Sequence, residues 1–151
     1  MSAPQDISQN KTLLWFMAAA CGLCAGANYY SQPLIHSIQQ YFAVTESQAA
    51  LTVTFAQVSY ALGLLFIVPI GDVANKTKFI PLLMTLCAMG LFLSAFSVNL
   101  PMLWVGTVLV GLFSVAAQVL IPLATMTVQP EKTGEVVGFL MSGLLVGILL
   151  S

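Results

Sequence analysis

The chain has 151 residues, of which 59% are hydrophobic and 6% charged, and its formal net charge is −1. Soluble domains are about 45–50% apolar and about 25% charged, so this chain lacks the polar residues that a water-exposed surface needs. The composition therefore predicts a membrane protein and excludes a soluble globular domain. It also shows no basic patch of the kind that binds nucleic acid.

Five apolar runs in the sequence are candidates for membrane-spanning helices. A helix needs about 20 mostly apolar residues to cross a bilayer. The predicted spans cover residues 12–37, 46–71, 79–98, 101–128 and 134–151, and the fifth is short for a crossing helix. The expected fold is an all-α, polytopic membrane helix bundle over residues 12–151, preceded by a short disordered tail of residues 1–11.

Short polar sequences mark the joints between the predicted spans. Thr45 and Gln48 have the spacing of a capping box, which predicts the start of the second helix. Asn99 is expected to cap the fourth helix, since asparagine is a preferred N-cap residue. Pro101 fits the same start, because proline is tolerated in a first helical turn. Residues 129–135 form the polar loop before the fifth helix.

The first span has two alternative interpretations. "CAGA" at 24–27 loosely resembles a signal-peptide cleavage site, but the apolar stretch continues beyond it and further spans follow, which favours an uncleaved helix. Cys21 and Cys24 have the C-x-x-C spacing of redox or metal sites. No His, Asp or Glu lies nearby to complete a site, so we interpret them as small packing residues and expect neither metal nor cofactor.

The lysines predict the orientation of the chain. Cytoplasmic loops of membrane proteins carry an excess of Lys and Arg. With the N-terminus in the cytoplasm, all four lysines fall on the cytoplasmic side, whereas residues 38–46 and 98–101 on the other side contain none. The positions are Lys11, Lys76, Lys78 and Lys132.

The sequence "VPIGDVANKTKFI" at 68–80 resembles the loop between helices two and three of the major facilitator superfamily. The pattern of that family is G-x-L-A-D-R-x-G-R-R. Ile70, Gly71 and Asp72 take the place of L-A-D, and Lys76 and Lys78 take the basic places. Three residues depart from the pattern, namely Val68, Val73 and Asn75.

Longer stretches extend the resemblance over almost the whole chain. "ANYYSQPLI" (27–35), "SYALGLLFIVPIGD" (59–72), "AQVLIPLAT" (117–125) and "GFLMSGLLVGILLS" (138–151) together resemble a bacterial branch of the superfamily. The resemblance implies the first four to five helices of a fold with about twelve helices in two halves around a central cavity. It also implies a location in the bacterial inner membrane.

The resemblance assigns a gating role to Gly71, Asp72, Lys76 and Lys78. A carboxylate at the membrane interface can accept hydrogen bonds from helix N-termini and meet nearby cations, and a contact that breaks during the cycle biases a two-state equilibrium. The alternative is that Asp72 is solvated and only caps the loop. Thr107, four residues before Gly111, replaces the arginine of proton-coupled members, and Ile148 replaces a proline of antiporters, so neither coupling is expected from the familiar residues.

Polar residues in the spans are the candidates for the solute cavity. Polar side chains that face lipid are costly, so these residues should point into the bundle. Asn28, Gln32 and His36 follow at four-residue steps of helix one, and Pro33 is expected to loosen the backbone there. The predicted cavity residues are Asn28, Tyr29, Gln32, Gln57, Tyr60, Thr107, Ser114 and Gln118. Interhelical hydrogen bonding is the alternative role for the amides.

Three G-x-x-x-G pairs predict close helix packing. They are Gly22–Gly26, Gly134–Gly138 and Gly143–Gly147. Small residues at this spacing let helix backbones approach each other. Packing within the bundle is the favoured role and dimerisation the alternative.

The function expected from the resemblance is a secondary transporter that moves a small solute by alternating access, present here as an N-terminal fragment. Its expected partners are the lipid bilayer, an unidentified small solute, and missing C-terminal helices or other membrane helices. The alternatives are an inactive truncated product or a small helical membrane protein. A small multidrug exporter would carry a glutamate in helix one, which this chain lacks, and so few ionisable residues make an enzyme improbable.

Overall fold

The computed structural model of the protein describes residues 10–151, and residues 1–9, which hold most of the predicted tail, lie outside this range. The described residues form α-helices and no β-strand. The helices are α1 (Lys11–Tyr29), α2 (Ile35–Phe42), α3 (Glu46–Leu62), α4 (Val68–Val73), α5 (Lys76–Ala95), α6 (Leu100–Phe113), α7 (Ala116–Met126) and α8 (Thr133–Leu150). A π-helical turn at Gly63–Ile67 joins α3 to α4, and a 3-10 turn at Pro130–Lys132 precedes α8.

Five segments of the described chain are long and apolar enough to cross a membrane. These are span 1 (Lys11–Tyr29), span 2 (Glu46–Val73), span 3 (Lys76–Ala95), span 4 (Leu100–Met126) and span 5 (Pro130–Leu150). The prediction of an all-α, polytopic membrane bundle is confirmed. The spans begin and end within a few residues of the predicted positions, except at the end of span 1.

The first predicted helix, residues 12–37, is two helices in the structure. α1 ends at Tyr29 and α2 begins at Ile35. Pro33 lies in the break, where its missing N–H group and its effect on the preceding residue oppose a continuous helix. The four-residue steps of the predicted polar stripe therefore do not run along one helix.

The short helix α2 covers one end of the bundle. Its Ile38 is buried with Ala49 near the start of α3 and with Leu100 at the start of α6. The opposite side of α2 faces outward, and Tyr41 is 75% exposed. The chain after span 1 thus turns onto the bundle end instead of lengthening the span.

Spans 2 and 4 touch through their backbones. Each of them is interrupted, span 2 by the π-turn and span 4 between α6 and α7. A Cβ atom added to Gly63 would lie 2.5 Å from the carbonyl oxygen of Leu112, and one on Gly111 would lie 2.6 Å from that of Ala56. The π-turn in span 2 precedes Pro69, whose ring would clash with a carbonyl of a regular helix, so the wider turn accommodates it.

Spans 1 and 5 make the other close contact between backbones. A Cβ atom on Gly143 would lie 2.5 Å from the carbonyl oxygen of Ala18, and one on Gly22 would lie 2.6 Å from that of Gly143. Gly26 and Gly147 extend the same contact. Close packing inside the bundle is thus confirmed for two of the predicted G-x-x-x-G pairs. The third pair differs, because a Cβ atom at 134 or 138 would have nothing within 4 Å.

Buried small residues and side-chain caps follow the sequence prediction. Cys21 and Cys24 are unbonded thiols in the main buried cluster, as expected for packing residues. Thr45 and Gln48 form the predicted capping box. The Asn99 side chain accepts a hydrogen bond of 2.9 Å from the backbone N–H of Met102, which confirms the predicted cap.

Substitution Gly143→Ala should destabilise the fold. The added methyl group meets the Ala18 backbone, so α1 and α8 must separate, at a cost of about 1–3 kcal/mol. The free energy of unfolding can be measured by reversible denaturation of the purified protein in mixed micelles. Gly138→Ala on the same helix is the matched control, and we expect it to leave stability unchanged or slightly higher. Equal stability of Gly143→Ala and wild type would contradict the packing.

Candidate functional site

A polar side-chain pair links spans 2 and 4. The Nε2 atom of Gln118 donates a hydrogen bond of 3.1 Å to the Oη atom of Tyr60. Both residues are half-buried. Gln118 lies shortly after Ser114, where span 4 is interrupted between α6 and α7. The structure therefore brings together two of the predicted cavity residues from distant parts of the sequence.

Thr107 lies at a contact between spans 1 and 4. Its buried hydroxyl donates to the carbonyl oxygen of Leu103 at 2.8 Å and lies 3.5 Å from the Oη atom of Tyr30. A separation of 3.5 Å is at the limit for a hydrogen bond, so the bond within the helix is the stronger one. The residue in the place of the family's arginine is thus a neutral group at the meeting point of two helices.

Five side chains carry a buried polar atom that has no hydrogen-bond partner among the described residues, namely those of Asn28, Ser31, Thr52, Ser94 and Trp104. Asn28 is 2% exposed, and both atoms of its amide group are unpaired. The hydroxyl groups of Ser31 and Thr52 are buried and unpaired in the same way. A buried polar group without a partner costs free energy, and native proteins usually satisfy it with water or a ligand. Asn28 therefore has unused capacity to bind a polar molecule.

The side chains of the other predicted cavity residues form no hydrogen bonds with one another in the described structure. Tyr29 and Gln57 are half-buried in spans 1 and 2. Ser114 donates to the carbonyl oxygen of Gly111 at 3.1 Å, which satisfies a carbonyl at the interruption of span 4. Gln32 is exposed and lies outside the spans, in the turn between α1 and α2.

His36 lies on α2 at the bundle end. Its ring Nε2 atom is 2.9 Å from Nε2 of Gln40, and both residues are exposed. The break at Pro33 separates it from Asn28, so the stripe predicted at four-residue steps is divided between a spanning helix and a helix at the surface.

The loop motif lies between α4 and α5. Gly71 is buried, and a Cβ atom there would lie 3.0 Å from both the Phe79 ring and Val119. Asp72 is exposed, and Nζ of Lys76 donates to its backbone carbonyl oxygen at 3.3 Å. A side chain at position 71 would therefore crowd the contact of α4 with α5 and α7, while the neighbouring carboxylate stays accessible.

The rest of the motif positions the start of span 3. Asn75, a departure from the family pattern, accepts a hydrogen bond of 3.1 Å from the N–H of Thr77 and caps α5. This cap starts the helix at Lys76, three residues before the predicted position. Lys78 is exposed in the first turn of α5.

Sequence reasoning missed Ser31 and Thr52. In span 2, Thr54 is exposed, whereas Thr52 is fully buried. A signal for Thr52 exists in the sequence, because it falls at helical spacing with Ala49 and Ala56, which are also buried. Small residues on one face indicate where the polar ones are enclosed.

Comparison with known proteins shows the family of this chain. The model of the family described as the Major Facilitator Superfamily matches residues 14–151. The chain belongs to this superfamily. The predicted resemblance is thereby confirmed, and the protein is a multi-pass membrane protein.

The relatives found for this superfamily member are bacterial. It is 48% identical over 139 residues to the "Putative uncharacterized transporter YgaY" of Escherichia coli strain K12, covering 92% of this chain. It is 28% identical over 134 residues to the "Probable transporter SCO4007" of Streptomyces coelicolor, covering 88% of this chain and 31% of that relative. The chain spans 35% of the length of the E. coli relative. No solved structure matches it significantly.

The Tyr60–Gln118 pair should be energetically coupled. Interhelical hydrogen bonds in membranes contribute about 0.6 kcal/mol on average, so Tyr60→Phe and Gln118→Leu should each destabilise modestly. A double-mutant cycle of unfolding free energies should give a coupling of about that size. Additive effects of the two substitutions would show that the bond is not formed in the membrane.

Proposed function

We propose that this member of the superfamily transports a small solute across the bacterial inner membrane by alternating access. The main observation behind this proposal is the unpaired amide of Asn28, which is buried inside the bundle. Family membership and relatives named as transporters support this interpretation. Proteins that rock between two states bind their solute near the bilayer midplane.

The proposed solute site lies on spans 1, 2 and 4. Asn28 and Tyr29 contribute from span 1, and Gln57 and Tyr60 from span 2. Thr107, Ser114 and Gln118 contribute from span 4, and Gln32 lies at the bundle end. The Tyr60–Gln118 bond offers a donor and an acceptor that a solute could exchange for its own hydrogen bonds. All these groups are neutral, so recognition would rest on hydrogen bonds and shape.

Transport of this kind involves no covalent chemistry. We therefore infer a carrier and not an enzyme. Within residues 10–151 no group of three or more His, Cys, Asp or Glu side chains is arranged to hold a metal ion. The work of the protein would be conformational, with the solute bound and released unchanged.

Asp72 is the proposed gating residue. Its carboxylate is exposed beside Gly71, whose missing side chain lets α4 lie against Phe79 and Val119. Movement of α4 against those neighbours would carry the carboxylate to or from basic groups and helix N-termini. A contact made in only one of two states shifts the equilibrium between them. Lys76 and Lys78 are the nearest cations along the chain for such a contact.

The proposed orientation places the N-terminus in the cytoplasm. Lys11 and Lys132 line one cavity, so the start of span 1 and the start of span 5 lie at the same end of the bundle. Lys76 and Lys78 begin span 3, which starts at that end if successive spans alternate in direction. The positive-inside rule then assigns this end to the cytoplasm.

A second candidate function is that of a small helical membrane protein that binds other helices without transport. The open glycine pair of α8 favours it, because nothing lies within 4 Å of a Cβ atom at Gly134 or Gly138. Small residues at this spacing are suited to close approach of another helix.

Cysteine labelling tests the orientation. The buried native cysteines are first replaced by alanine, and single cysteines are placed at Lys78 or at Val98, which is 78% exposed at the other end of span 3. In intact cells, a membrane-impermeant maleimide should label Val98→Cys but not Lys78→Cys. After membrane disruption both should react. Labelling of Lys78→Cys in intact cells would reverse the proposed orientation.

Substitution Asp72→Asn tests the gating role and the transport function together. Cells that express the protein are assayed for accumulation of a panel of small sugars, amino acids and organic cations. Expression should change the level of at least one solute. Asp72→Asn should reduce that change about 5-fold or more at equal membrane abundance, because coupling energies are of this order.

The exposed acid Glu131, in the loop between spans 4 and 5, provides the control. Glu131→Gln should transport like wild type. Normal transport by Asp72→Asn would refute the gating role alone. A panel without any response in wild type would favour the helix-binding candidate.

A further inference from the structure

The irregular segments of spans 2 and 4 lie against each other inside the bundle. Gly63 begins the π-turn of span 2, and Val115 lies between α6 and α7 of span 4. A Cβ atom added to Gly63 would lie 2.9 Å from Cγ1 of Val115 and 2.5 Å from the carbonyl oxygen of Leu112. We call these two touching segments, Gly63–Ile67 and residues 114–115, the hinge.

The backbone of the hinge departs from a regular α-helix in both spans. Ser114 and Val115 have ψ angles of −6° and −2°, whereas the ψ angle of a regular α-helix is about −42°. A proline follows the hinge in each span, Pro69 in α4 and Pro122 in α7. Because proline has no N–H group, it leaves a carbonyl of the preceding turn without its helical donor. π-turns and prolines are the points at which helices usually bend.

Each half of span 2 packs on the corresponding half of span 4. Before the hinge, α3 contacts α6, and the ring centroids of Phe55 and Trp104 are 5.2 Å apart. After the hinge, α4 contacts α7, and a Cβ atom on Gly71 would lie 3.0 Å from Cγ2 of Val119. A bend of both spans in the same direction preserves both contacts, whereas a bend of one span alone would separate one of them.

The two sides of the hinge belong to different buried clusters. After the hinge, Val119 of α7 lies in the main cluster with Cys21 of α1. Before the hinge, Ala49 of α3 and Leu103 of α6 lie in a second cluster with Ile38 of α2. Each side therefore has its own packing, and a modest bend at the hinge leaves both clusters intact.

The hydrogen bond between Tyr60 and Gln118 crosses the hinge. Tyr60 precedes the hinge in span 2, and Gln118 follows it in span 4. The amide group of Gln118 donates to the hydroxyl oxygen of Tyr60 at 3.1 Å. Because this bond joins α3 to α7, a tilt of one side of the hinge against the other would lengthen it.

We propose that spans 2 and 4 bend together at the hinge, and that the Tyr60–Gln118 bond is a latch that holds the less bent form. When the latch opens, α4 and α7 are free to tilt against α3 and α6. The 11 residues of α7 are roughly 16 Å long, so a tilt of about 20° moves the end of this helix by about 5 Å. Such a movement differs from the rocking of rigid spans, and it requires no solute.

The hinge would also connect the proposed solute site with the proposed gate. A solute that takes the hydrogen bond of Gln118 would open the latch, and the tilt of α4 would displace Asp72 at its end. Only these two consequences rest on the proposed transport function, because the bend itself is a property of spans 2 and 4.

Hydrogen exchange of backbone amides tests the latch. The chain is reconstituted in lipid nanodiscs, and mass spectrometry follows exchange in peptides that cover residues 60–67 and 112–118. Tyr60→Phe removes the hydroxyl that accepts the bond, so exchange should become roughly threefold faster in both peptides. This factor corresponds to the average strength of an interhelical hydrogen bond. Exchange in span 3, which is one continuous helix, should not change.

Pro122→Ala tests whether the two spans bend together. Alanine supplies an N–H donor for a carbonyl of the preceding turn and so stiffens span 4 beside the hinge. Exchange should become slower in both peptides, although the substituted residue lies on span 4 alone. Pro81→Ala, which replaces a proline inside α5, is the matched control and should leave exchange in both peptides unchanged.

Two outcomes would overturn the proposal. Unchanged exchange in Tyr60→Phe would show that the bond is not a latch. An effect of Pro122→Ala that is confined to residues 112–118 would show that the spans do not bend together. Because these measurements contain no solute, a failure to detect transport leaves their result unaffected, and the hinge and the transport function can fail separately.

Discussion

The fold depends on contacts in which one helix backbone touches another at glycine. Lipid tails are as apolar as leucine side chains, so helices in a bilayer associate through close packing and hydrogen bonds, with little help from the hydrophobic effect. Spans 1 and 5 meet at Gly22 and Gly143, and spans 3 and 4 meet at Gly90 and Gly106. Spans 2 and 4 meet at Gly111. Each of these three pairs of spans thus has at least one point where no side chain separates the backbones.

These contacts determine where polar groups can be placed. Because the helices touch closely, a polar side chain beside such a contact is enclosed by protein and protected from lipid. Thr107 lies next to Gly106, and Ser114 follows Gly111, and both hydroxyls are buried and bonded to carbonyls of their own helix. Asn28, in contrast, is enclosed without a partner. The same packing that stabilises the bundle therefore leaves one amide available, which is the basis of the proposed solute site.

Much of the fold could be predicted from the sequence, because span length and caps are local properties. The capping box at Thr45 and the cap at Asn99 needed only residues three positions apart. The sequence predicted a loosening at Pro33, and the structure has a complete break between two helices there. The packing of Ile38 after the break depends on residues far along the chain, so it could not be predicted locally. The π-turn of span 2 was not predicted, although Pro69 beside it is a local signal for a departure from regular helix.

The candidate site was less predictable than the fold. Helical spacing indicates a shared face only while the helix continues, so the interruption after Tyr29 separated Gln32 from Asn28. The bond between Tyr60 and Gln118 joins residues 58 positions apart, and no local pattern encodes it. The lysines at 11 and 132 were interpreted only as signals of orientation, although their packing also places them in one cavity.

We infer that five spans cross the bilayer in alternating directions, with the starts of spans 1 and 5 at the same end. Distances between spin labels in reconstituted protein measure this directly, with labels attached to cysteines at Lys11 and Lys132, or at Lys11 and Val98. We expect the first pair of labels to lie well within the roughly 30 Å thickness of the hydrocarbon core, and the second pair to be separated by about that thickness. A bilayer-sized distance between positions 11 and 132 would contradict it.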